Sequence, residues 1–190
     1  MRPSLSRILL VSLLALIGPR TVRADESVED REFQIKAGFL YNFGLFVHWP
    51  GEAARGDFVI GVFGDSSVVP FLQQIADRKT IGDRKIVIQR FAAIEDYKPC
   101  QILFLPRDAG AKEALPADKR LAAARKRIGN APVLLVTSGE GLAEKGANIS
   151  FFVEDNRMRF EINPDAAKRS GLQVSSKLLT IGKIVHTADK

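Results

Sequence analysis

The chain has 190 residues, 46% of them apolar and 26% charged, with 28 Lys and Arg against 22 Asp and Glu for a net charge of +6. That is enough apolar material for one hydrophobic core and too much for a disordered chain. Cys100 is the only cysteine, which excludes an intrachain disulfide, and with His48 and His186 as the only histidines no local cluster has metal-ligand spacing.

The amino terminus carries Arg2 and Arg7, an apolar run from Ile8 to Ile17, and Thr21-Val22-Arg23-Ala24. This is the pattern of a secretory signal, with cleavage expected after Ala24 and residues 25–190 expected to form a single domain. Removing it takes away four basic residues and no acidic ones, leaving 24 against 22 and a charge of +2. The exported chain therefore has no charge case for a nucleic-acid partner.

Ser27-Val28-Glu29-Asp30 resembles a capping box, and Ile35, Phe39, Phe43 and Phe46 follow at helical spacing up to Trp49-Pro50. The expectation is a long amphipathic helix packed on a sheet, with Lys36 and Asn42 as exposed or capping polar residues. Phe58–Phe63 reads as a strand, Gly64-Asp65-Ser66-Ser67 as a turn, and Val69–Ala76 as a helix, the first half of a βαβ unit. Strand signal recurs at Thr80-Ile81, Lys85–Phe91, Gln101–Leu105 and Pro132–Thr137. Ala117–Ile128 is helical, with Arg125-Lys126-Arg127 at its carboxyl end, and a brief helix is expected from Gly141 to Lys145. Ile149–Val153 and Met158–Ile162 alternate around Asp155-Asn156 as a β-hairpin, and Asn163-Pro164 opens a helix through Lys168. The fold expected is α/β, a mostly parallel sheet flanked by helices in a Rossmann-like three-layer arrangement with a C-terminal β-hairpin.

Catalytic motifs fail on spacing. Gly64-Asp65-Ser66 suggests a nucleophilic serine of the secreted-esterase type, but Lys183, not an acid, stands three residues before His186. A serine hydrolase using Ser66 is the enzyme alternative. The turn at Ser138-Gly139-Glu140-Gly141 lacks the lysine of a phosphate loop, and Glu144 replaces the third glycine of a dinucleotide fingerprint. No cofactor is expected. Gly64, Asp65, Ser66, Ser67, Ser138 and Gly139 follow strands and could offer N–H groups to an acidic ligand, forming one pocket if the two loops are neighbours.

Four blocks resemble the YfiR/HmsC-like family. They are Lys36–Phe43 closing at Trp49-Pro50, Cys100–Phe104, Asn148–Asn163, and Ser175–Leu179 with Ile184-Val185, in the family's order from about Phe33 to Val185. The resemblance implies a periplasmic regulator rather than an enzyme. It would bind the periplasmic sensor portion of an inner-membrane diguanylate cyclase, restrain cyclic-di-GMP and biofilm formation, and be sequestered by an outer-membrane lipoprotein. A homodimer is a further expectation, and a periplasmic small-ligand sensor the alternative reading. Some relatives carry several cysteines that respond to redox; this chain retains only Cys100, so an intrachain redox switch is not expected. Some relatives are sensor portions of membrane kinases, but nothing after Val185 resembles a membrane span, so the regulator is expected to act in trans. Candidate partner-binding residues are Asn42, Trp49, Glu154 and Arg159, on the first helix and the terminal hairpin.

Overall fold

The computed structural model describes residues 27–108 and 115–187; the expected signal segment lies outside them. Helix α1 spans Val28–Phe46, and the Ser27 hydroxyl accepts from the Asp30 N–H at 3.0 Å, one half of the expected capping box. Its buried stripe is Phe33, Lys36, Ala37, Leu40, Phe43 and Gly44. The expected face is therefore rotated: Ile35 is 39% exposed, Phe39 and Phe46 are half-buried, and Lys36 is buried rather than exposed. Gly44 lets the helix approach the sheet, since a Cβ there would lie 2.9 Å from the Ile81 side chain and 3.1 Å from the Phe58 ring. The helix stops where Val47 turns extended, and strand β1 (Val47–His48) pairs antiparallel with β9 (Gln173–Val174).

The main sheet contains β2 (Phe58–Phe63), β3 (Thr80–Ile81), β4 (Arg84–Phe91), β5 (Ile102–Leu105), β6 (Leu134–Ser138), β7 (Ile149–Glu154), β8 (Arg157–Ile162) and β10 (Lys183–Ile184). Their order is β10-β8-β7-β6-β5-β2-β4-β3. Strands β4, β2, β5, β6 and β7 are mutually parallel. In chain order these five read 2-1-3-4-5, so the direction of travel reverses between β2 and β5. Right-handed crossovers that run in opposite directions place their helices on opposite faces. Helix α2 (Val68–Ala76) accordingly packs beside α1, and α3 (Ala117–Ile128) lies on the far side against Leu103, Leu105 and Leu135. The mostly parallel α/β sheet with helices on both faces is as the sequence implies.

The hairpin is also as expected. Strands β7 and β8 pair antiparallel from Ile149↔Ile162 to Glu154↔Arg157. Asp155 and Asn156 turn it with φ of 51° and 56°, the left-handed pair of a type I′ turn, which short polar side chains tolerate best after glycine. Phe39 and Phe43 of α1 meet Phe151 and Phe160 of the hairpin with ring centroids 5.2–5.9 Å apart, which fastens the helix to the sheet's end. Helix α4 (Pro164–Arg169) follows, its Ala166 N–H donating to Asn163 Oδ1 at 2.8 Å, and α5 (Ser176–Ile181) is capped by Ser175. The brief helix expected after Gly141 is absent; residues 139–146 form turns, because Gly139, Gly141 and Gly146 all take positive φ.

Candidate functional site

In an open parallel sheet, ligands sit beyond the carboxyl ends of the strands, where helix N-termini offer free N–H groups. Two turns occupy that position here, and the chain fills both with its own carboxylates. After β2, the Ser66 hydroxyl donates to both oxygens of Asp108 at 3.0 and 3.1 Å, and the Ser67 N–H donates to Asp108 Oδ2 at 3.1 Å. Asp65 instead pairs with Arg90 at 2.6 Å. After β6, the Gly141 N–H donates to both oxygens of Glu161 at 2.9 and 3.1 Å. Glu161 is 1% exposed, and Lys183 lies 3.8 Å away as its counter-charge. An acidic ligand at either turn would have to displace a carboxylate already bound there.

The two turns are not neighbours, because β5 lies between β2 and β6. The pocket expected between Gly64–Ser67 and Ser138–Gly139 is therefore not a single site. Ser138 and Gly139 instead line a different recess of about 230 Å³ on the α1 face, together with Glu32, Lys36, Arg107 and Phe151. A larger depression of about 450 Å³ opens near the carboxyl end of α3, lined by Arg125, Lys126, Asn148 and Arg169. There Arg125 donates to the Lys145 carbonyl and Arg169 to the Thr187 hydroxyl, so both guanidinium groups are engaged by the chain.

The hydrolase constellation is not assembled. Ser66 is buried with Asp108 as its acceptor, and His186 is exposed with its Nδ1 2.7 Å from Asp165 Oδ2. That bond holds the Asp165 carboxyl below its ordinary range, followed in effect by the nearby Arg169 and Lys168 charges. Burial pushes the Cys100 thiol up to about 12, so it is a packed neutral group. Among the described residues no group of three or more His, Cys, Asp or Glu could hold a metal ion.

Of the candidate contact residues, Asn42 is exposed on α1, and Glu154 and Arg159 are half-exposed on the hairpin, joined by a 2.9 Å ion pair. Trp49 is not a surface residue: it is 9% exposed, its indole N–H donates to the Gln101 carbonyl at 3.1 Å, and its ring stands edge-on to Phe58. Sequence reasoning missed Gln101, whose side chain accepts from Val59 N–H and donates to the Ala53 carbonyl. It also missed Asp108 and Glu161. Glu161 alternates with Phe160 and Ile162, so a sheet covered on both faces had to bury it. Asp108 carries no such local signal.

A sheet reversing between β2 and β5, with its switch-point turn closed by Asp108, defines a doubly wound α/β protein. The YfiR/HmsC-like family model matches residues 33–183, and the chain belongs to that family. Its members are known as periplasmic regulators that act through protein contacts. A conserved domain protein from Vibrio cholerae O1 biovar El Tor shares the fold, with a TM-score of 0.51 at 13% identity over 80% of this chain. The chain spans 59% of the length of that protein. A comparison with curated proteins gave no match.

Proposed function

We propose that this protein is an exported periplasmic repressor that binds the periplasmic portion of an inner-membrane diguanylate cyclase and thereby lowers cyclic-di-GMP and biofilm formation. The observation that carries the reading is the family match over residues 33–183. The surface of α1 supports it. Ile35, Asn42 and Leu45 recur at helical spacing on its outer side, with Ile35 and Leu45 39% and 40% exposed, and Val153 stands 58% exposed near the hairpin tip. Apolar side chains left in water around a polar one suit a protein partner. Asn42 lies on this surface and would set its register, Glu154 and Arg159 share the face of Phe152 on the side of the hairpin turned away from α1, and Trp49 supports the surface from within. No described helix is long and apolar enough to cross a membrane. An outer-membrane lipoprotein that took up the same surface would release the cyclase.

Deleting the gene tests this. Cyclic-di-GMP and surface-attached growth should rise and return to the parental level on complementation. Unchanged cyclic-di-GMP in the deletion strain would overturn the proposal.

A further inference from the structure

The recess beneath the first turns of α1 holds donors that the described residues leave without acceptors. Ser138 lies at the carboxyl end of β6 and is 6% exposed, and its Oγ has no hydrogen-bond partner among the described residues. Buried hydroxyls are normally satisfied. The adjacent Thr137 shows the contrast: its Oγ1 donates to Ser150 at 2.8 Å, and Ser150 in turn donates to the Gly139 carbonyl. Lys36 faces the same recess with a side chain only 6% exposed. Its ammonium has three donors, and Glu32 takes one at 2.5 Å. Arg107, exposed at the rim after β5, makes no ion pair among the described residues, whereas Glu32 pairs with Lys36 and Glu140 with Lys183 at 3.8 Å. The opposite wall is apolar, formed by Phe151, Val153 and Met158.

We propose that this recess binds a small organic carboxylate, a function separate from partner binding. The carboxylate would lie against Ser138 Oγ, Lys36 Nζ and the Arg107 guanidinium, with an apolar body on Phe151 and Met158. Among the described residues the recess has one cation without an ion-pair partner, Arg107, which matches one negative charge and favours a carboxylate over a doubly charged phosphate. A volume of about 230 Å³ falls below the roughly 300–1,000 Å³ of sites for drug-sized ligands, so the ligand is small.

The test is a titration of ¹⁵N-labelled protein spanning residues 25–190 with benzoate and with hexanoate, using benzyl alcohol as the uncharged control. Saturable amide shifts centred on Ser138, Gly139, Phe151 and Met158 are expected with at least one acid and not with the alcohol. Ser138→Ala should weaken binding about tenfold, the scale of a lost hydrogen bond to a charged group. Arg107→Gln should weaken it several-fold, and because Arg107 is exposed this variant reports even if Ser138→Ala disturbs the fold. No saturable shift with either acid, an equal response to benzyl alcohol, or unchanged affinity in Arg107→Gln would overturn the proposal. The cyclic-di-GMP phenotype of the deletion strain is independent of this result, so the two readings fail separately.

Discussion

Cys100 sits 5% exposed under Phe91 and Leu103, against Gly61, where a Cβ would lie 2.6 Å from the Phe91 ring and 3.2 Å from the thiol sulfur. The contact is close enough that glycine is required at position 61. Burial raises the thiol pKa from 9.0 to about 12, and that of the half-buried Tyr97 beside it from 10.0 to about 12. The folded protein then holds these protons where the unfolded chain releases them, so stability is complete below the unfolded values and is lost as pH rises from 9 toward about 12. The urea midpoint should fall between about pH 8 and about pH 11, and Cys100→Ala should flatten part of that fall. An identical decline in the variant would contradict a buried neutral thiol. That Cys100 stands alone was readable in the sequence; its raised pKa was not, because that depends on residues brought in from β2, β4 and β5.

At the scale of the element, α1 has two faces with separate consequences. Phe43 is fully buried between Phe151 and Phe160, and Phe43→Ala should destabilise the protein by about 3–5 kcal/mol in urea unfolding. Ile35 on the outer face packs little, so Ile35→Glu should leave stability within about 0.5 kcal/mol while releasing the cyclase and raising cyclic-di-GMP in cells. Equal destabilisation by both variants would show that the outer face is structural. The sequence indicated this helix but misplaced its face by counting Ile35 in the aromatic stripe. Phe33, Ala37, Leu40 and Gly44 carry the burial, and Gly44 contributes by what it lacks. The hairpin and α3 were legible because period and turn chemistry agreed locally, as at Asp155-Asn156 and Gly129. The turn after Gly141 was not, since its helix-forming Leu142 and Ala143 lie between glycines at positive φ.

At the scale of the whole molecule, strand order decides what the carboxyl edge of the sheet can do. Alternating strand and helix patterns implied a parallel sheet, but not that β5 would enter between β2 and β6 and part the two turns expected to share a ligand. Nor could they show Asp108 and Glu161 closing those turns from 42 and 20 residues away. With that edge closed, the features left open include the outer side of α1, the hairpin tip, the recess at Ser138 and the depression at the end of α3. A repressor works by what its surface holds, so the deciding measurement is direct binding. Protein spanning residues 25–190 would be titrated against the purified periplasmic portion of the diguanylate cyclase encoded nearest its gene. Saturable binding with a Kd of about 1 μM or tighter, weakened at least about tenfold by Ile35→Glu, is the expected result. No binding at concentrations well above that, by a protein shown to be folded, would contradict the regulatory reading.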